Sequence, residues 1–187
     1  MAKNRLFLSL NPAEEDLKEL KKILPDLKNR FKDHYIKWEN PDKFHLTLRF
    51  LGDIDEERTT VLASTLDRLK FDFETIGFSS DKIGYFPNSR YPNVIFAGLI
   101  EQGNNSDKLV SFIDRIILNF GVKPEKRFIP HITLGRFSRN KRKKIDEELT
   151  VSFPSENIVF DSFYLMKSTL TQDGSVYEIL NKFNFIK

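Results

Sequence analysis

Two stretches decide how this chain is read: Phe44-His45-Leu46-Thr47-Leu48-Arg49-Phe50 and Pro130-His131-Ile132-Thr133-Leu134-Gly135-Arg136-Phe137. A strand sends alternate side chains to opposite faces. In the first stretch Phe44, Leu46, Leu48 and Phe50 then share a wholly apolar face, suited to packing on a helix. His45, Thr47 and Arg49 share the other face. In the second stretch Ile132 and Leu134 point to the core, while His131 and Thr133 point away from it. Each copy presents an imidazole and a hydroxyl side by side, provided no bulge interrupts the alternation. The two histidines stand 86 residues apart, which suggests two similar lobes rather than a solenoid.

Working outward, the chain alternates strands and helices. Residues 5–10 predict a strand. Asn11 as N-cap, Pro12 at the first helical position and Glu14 as the capping-box partner then predict a helix. Leu17, Leu20, Leu24 and Leu27 recur along it at helical spacing, and Pro25 should kink or split it. Further helices are expected at 53–70 and 106–120, the latter stopped by Gly121. Strands are expected at 44–51, 71–83, 93–100 and 132–137, with a turn-rich loop at 85–92. Segments 157–168 and 176–183 read as a closing pair around Gln172-Asp173-Gly174. This order predicts an α+β fold of mainly antiparallel sheet, as a single two-lobed domain over 1–187.

Composition removes several function classes. The 187 residues contain no cysteine, so a disulfide framework, a thiolate metal site and a cysteine nucleophile are excluded. A cysteine-free chain fits a reducing compartment. Apolar runs are only a few residues long, so no membrane span is expected. The start runs straight into a strand pattern without the apolar core of a signal peptide, and the expected location is the cytoplasm. With 30 Lys and Arg against 27 Asp and Glu, a net charge of +3 is too mild to require a nucleic-acid partner. The 18 phenylalanines read as an aromatic-rich core. Only His34, His45 and His131 are available for chemistry that needs imidazole.

A phosphate group would use the repeated pairing well. Each threonine hydroxyl can donate to a non-bridging oxygen. Each histidine titrates near neutral pH. One neutral imidazole can take a proton from an attacking water, while a protonated one hands a proton to the leaving oxygen. No metal or other cofactor is needed for this. Zinc is the rival use of paired histidines, but it needs three or more protein ligands, and no His-x-x-x-His or nearby carboxylate pattern supplies them. His34 lacks the motif context and reads as a structural or surface residue.

These motifs resemble the two-histidine phosphoesterase superfamily. Within it the chain is most similar to the bacterial and archaeal RNA 2′,3′-cyclic phosphodiesterases, also called 2′-5′ RNA ligases. That family carries two His-x-Thr-x motifs, matched here by residues 45–48 and 131–134. The flanks agree: Arg5-Leu6-Phe7, Trp38 and Pro41, Phe50-Leu51-Gly52, Ile83-Gly84-Tyr85-Phe86-Pro87, Phe128, Pro130, Ser168, Gly174 and Tyr177. The resemblance implies two lobes related by a pseudo-twofold, with outer helices and an active-site cleft between them. It implies hydrolysis of RNA 2′,3′-cyclic phosphate ends to 2′-phosphates and reversible 2′-5′ joining; tRNA fragments are one candidate substrate, as a rival to a general RNA end. Carried over residue by residue, His45 is the proton donor, His131 the proton acceptor, and Thr47 and Thr133 bind the phosphate; Arg136, which closes the second motif, is a further phosphate-ligand candidate against a solvent-facing placement. A monomer is the default expectation.

Arg136 needs more than strict alternation, which places it opposite His131. Gly135 offers the local twist that would turn it inward. Arg49 is a further phosphate-ligand candidate, and Phe7 a candidate floor under a base. Arg136, Arg139, Lys141, Arg142, Lys143 and Lys144 suit an RNA backbone, against a solvated loop running into Asp146, Glu147 and Glu148. Tyr85, Phe86 and Tyr91 are candidates for base stacking. Rival functions are a phosphodiesterase acting on 2′-5′ oligonucleotides or cyclic nucleotides, and a non-catalytic RNA-end binder.

Overall fold

Period-two patterning dominates the chain, and strands dominate the fold. The computed structural model describes residues 3–69, 72, 75–124, 127–141, 143–145, 157–172 and 174–186. Its strands are β1 (Lys3–Leu10), β2 (Ile36–Trp38), β3 (Leu46–Asp55), β4 (Ile76–Phe86), β5 (Val94–Glu101), β6 (His131–Phe137), β7 (Asn157–Phe160), β8 (Ser162–Thr171) and β9 (Gly174–Asn184). Its α-helices are α1 (Lys18–Arg30), α2 (Glu56–Asp67) and α3 (Asn105–Leu118). The strands join in one sheet, ordered β7-β4-β5-β6-β3-β1-β8-β9, with β2 added on β6. Every pairing is antiparallel. The fold is α+β, as the sequence predicts.

The sheet has a seam. β3 and β6 touch through one bridge, Leu46 with Ile132, and then diverge. On one side lie β3, β1, β8 and β9; on the other lie β6, β5, β4 and β7. The unit β1–α1–β3 is echoed by β5–α3–β6. Leu46, Leu48, Ile132 and Leu134 are buried. Leu20, Leu24 and Leu27 of α1 join them in the core, as do Leu109, Ile113 and Ile117 of α3. Helical spacing aligns each set on one stripe, so burial of that stripe holds the helix to the sheet.

Several expectations are corrected. Asn11 does not cap a helix, because its side-chain oxygen accepts the Ser9 hydroxyl at 2.7 Å. The chain instead makes a 3₁₀ turn at Glu15–Leu17 before α1. Pro25 does not split α1, which runs unbroken to Arg30. Pro25 is on the exposed side, where water can reach the carbonyl that loses its N–H partner. The second helix is capped by Asp55, whose carboxylate accepts the Arg58 N–H at 2.8 Å. β2 was not foreseen; its three residues are too short for a periodic signal. The segment at 157–168 is two strands: β7 pairs with β4 in one half, while β8 pairs with β1 and β9 in the other. Lys70, Phe71, Phe73 and Glu74, in the predicted helix end and strand start, lie outside the described residues, as does Asp173 of the closing turn.

Phe50 is the most instructive departure. It is 49% exposed rather than sharing the core face. Between Ser9/Thr47 and Leu8/Arg49 the β1–β3 register shifts by one, leaving Leu48 as an extra residue in β3. A bulge of this kind reverses the side on which later residues emerge. Arg49 therefore turns to the helix side and Phe50 to the histidine side.

Candidate active site

The seam brings the two motifs together. His45 and Thr47 flank Leu46 of the bridge as His131 and Thr133 flank Ile132, and the charge of His131 reaches His45. All four are half-buried, each next in the chain to a buried leucine or isoleucine. Each histidine is anchored alike. His45 Nδ1 lies 2.7 Å from the Lys43 carbonyl, and His131 Nδ1 lies 2.7 Å from the Ile129 carbonyl. A carbonyl only accepts, so Nδ1–H is the donor and Nε2 is left for a ligand. Among the described residues, neither Thr47 nor Thr133 has a hydrogen-bond partner for its hydroxyl.

Aromatic rings hold each imidazole in place. His45 lies 5.0 Å from the Phe7 ring and 5.2 Å from Tyr177. His131 lies 4.9 Å from Phe86 and 5.3 Å from Phe96. This apolar setting disfavours the imidazolium, so burial pushes both histidines below their usual pKa. The Arg136 guanidinium pushes both in the same direction. The carbonyl bonds oppose the shift in both, but only His45 also has a carboxylate acting on it, Glu39. Burial, reinforced by Glu39, raises the Tyr177 phenol.

Arg136 faces this site, and the reason is a second bulge. The β5–β6 register shifts between Phe96/Thr133 and Ile95/Gly135, with Leu134 as the extra residue. Gly135 is then buried and Arg136 emerges on the side of His131 and Thr133. Gly135 suits its place because a Cβ there would lie 2.7 Å from Ile36 Cγ2 and 3.2 Å from the Lys37 carbonyl.

Other candidates are placed elsewhere. Arg49 forms a two-pronged ion pair with Asp114 of α3, at 2.7 Å and 2.9 Å, and is 7% exposed. It is on the helix side and not a phosphate ligand. Phe7 is 2% exposed beneath His45, so it supports the imidazole instead of lying open under a base. Tyr85 packs with Phe31 and Phe137, and burial pushes its phenol up to about 12. Tyr91 is exposed, and only Phe86 of the three stacking candidates touches a motif histidine. His34 sits against Phe31 and Phe137, apart from the seam. Lys141 lies over the Tyr35 ring at 4.1 Å. Arg142 and the acidic residues Asp146, Glu147 and Glu148 lie outside the described residues.

The sequence reading did not find Glu39 or Phe96, and gave Tyr177 only a place in the closing hairpin. Their roles depend on strand neighbours far away in the chain, and no local pattern marks them. Beside His45 a cavity of about 480 Å³ opens, with Asn11, Phe44, Met166, Val176, Tyr177 and Ile179 among its walls.

Comparison with known proteins shows the family and the fold. A family model described as LigT like Phosphoesterase matches residues 10–96 and 100–177. A Methanocaldococcus jannaschii protein named RNA 2′,3′-cyclic phosphodiesterase is 33% identical over 183 residues, covering 95% of this chain and 99% of its own. A Thermotoga maritima protein of the same name is 30% identical over 186 residues, covering 97% and 95%. Among solved structures, Escherichia coli LigT complexed with 3′-AMP superposes with a TM-score of 0.76 at 21% identity, covering 99% of both chains. That likeness concerns the fold.

Proposed function

The chain belongs to the LigT-like phosphoesterases, and from that premise we propose that it opens 2′,3′-cyclic phosphate ends of RNA to 2′-phosphates. The observation that carries the reading is the matched anchoring of His45 and His131. Both bond through Nδ1 to the carbonyl two residues back, so both have Nε2 for proton transfer.

In the proposed reaction His131 Nε2 takes a proton from water as its oxygen attacks phosphorus. The bond from phosphorus to the 3′ oxygen breaks. His45 Nε2–H gives its proton to that oxygen, leaving a 3′-hydroxyl and a 2′-phosphate. Glu39 favours the protonated form of His45, which suits the donor role. Thr47 and Thr133 donate to the non-bridging oxygens, and Arg136 offsets the charge that builds up on them. A 5′-hydroxyl in place of water gives 2′-5′ joining by the same proton transfers. The relatives named RNA 2′,3′-cyclic phosphodiesterase support the substrate class.

The test is a short RNA ending in a 2′,3′-cyclic phosphate, incubated in EDTA with wild type, His45→Ala and His131→Ala. Wild type should form the 2′-phosphate, and each variant should lose about 10²- to 10⁴-fold in rate while keeping its circular dichroism spectrum. No turnover by wild type removes the RNA-end assignment. Equal turnover by all three removes the two-histidine mechanism.

A further inference from the structure

Lys37 stands directly opposite Arg136 in the β2–β6 register. Directly opposed residues share a face of the sheet, so Lys37 lies on the side to which the bulge turns Arg136. Two like charges so placed destabilise a sheet. Among the described residues, neither cation has a carboxylate within ion-pair distance. The Lys37 ammonium also crosses the seam: a Cβ on Gly174, the first residue of β9, would lie 3.3 Å from its Nζ. At the next residue Lys43 Nζ donates to the Ser175 carbonyl at 2.8 Å. The start of β9 beside Tyr177 is thus met by two lysines, and the charges of Arg136 and Arg5 also reach that tyrosine. Glu39, two residues beyond Lys37, exerts its charge on His45 and Tyr177.

The geometry points to Lys37 as a substrate-length determinant that binds the phosphodiester next to the reacting phosphate. This rests on the proposed RNA-end reaction and deepens it. Arg136 acts on the cyclic phosphate held between the histidines. Lys37, about 5 Å away along the sheet at the level of paired Cα atoms, is placed for the next phosphate of the same strand. The enzyme then prefers an oligonucleotide end to a mononucleotide.

The experiment compares a trinucleotide 2′,3′-cyclic phosphate with the corresponding mononucleotide 2′,3′-cyclic phosphate. The ratio of their kcat/KM values is the readout. For Lys37→Met the ratio should fall about 5-fold, through KM of the trinucleotide. Lys37→Arg should restore it. The dependence of log kcat/KM on log salt for the trinucleotide should flatten by about 0.7, the equivalent of one phosphate contact on a single strand. Lys108→Met makes the same charge change on α3, where the ammonium donates to Asn105 Oδ1 at 3.3 Å, and should leave the ratio alone. An unchanged ratio in Lys37→Met overturns the inference, as does an equal fall in Lys108→Met. Wild type that turns over both substrates without preference overturns it too, while leaving the reaction standing. Wild type that turns over neither overturns the reaction itself.

Discussion

The two halves of the sheet build the same device twice and then decorate it differently. In each, a histidine stands at the start of a core strand, just before β3 or as the first residue of β6, and is tied through Nδ1 to the carbonyl two residues earlier. In each, a bulge falls three residues after the histidine, at Leu48 and at Leu134. Each imidazole has two aromatic rings against it. The occupants after the bulge differ. One half turns Arg49 toward α3 and Phe50 toward the site; the other buries Gly135 and turns Arg136 toward the site. The repeated scaffold orients the imidazoles, and the differing side chains set the charge around them. Arg49 can be long because its side meets Asp114. Gly135 must be small because Ile36 of β2 occupies the space.

Making the halves alike should cost most. Arg136→Phe, which copies Phe50, is expected to lower kcat by about 10²- to 10³-fold with folding intact, measured on the cyclic-phosphate RNA. A loss below tenfold would place Arg136 outside the reaction. Arg49→Ala leaves Asp114 without its partner and should cost about 3 kcal/mol in a denaturant titration. Its activity per folded molecule should stay at the wild-type level, and a large loss in kcat would return Arg49 to the site. Gly135→Ala drives a methyl group into Ile36 and should cost about 1–3 kcal/mol; an unchanged unfolding midpoint would show that β2 yields easily.

The smallest expected effect is on the pH profile, and it tests how the halves divide the proton work. Burial depresses both histidines, and Glu39 opposes this at His45 alone. Glu39→Gln should therefore lower the His45 pKa further. If His45 is the acid, the alkaline limb of the pH–rate curve moves to lower pH and the acidic limb stays. Movement of the acidic limb instead would exchange the roles of the two histidines.

Much of this site was legible in the residues. His45, Thr47, His131 and Thr133 follow from alternation near the histidines, and both strands keep that alternation until the bulge. Phe50 and Arg49 were misplaced because the same rule was carried past Leu48. Arg136 was expected to turn inward because Gly135 marked a point where the strand could deform. No such mark precedes Arg49, so the matching bulge in β3 passed unseen. Phe7 was recognised as a neighbour of the site, but its depth of burial depends on Tyr177 and Phe50, which close over it.

The sequence by itself determined the α+β class, the two core strands and the histidine–threonine face of each. Those properties depend on a period of two and on residues adjacent in the chain. Only the tertiary structure decided that β7 and β8 belong to opposite halves, that Lys37 stands opposite Arg136, and that Arg49 leaves the site while Arg136 enters it. These depend on strand register, set by hydrogen bonds and packing between distant residues, and one inserted residue is enough to send a side chain to the other face.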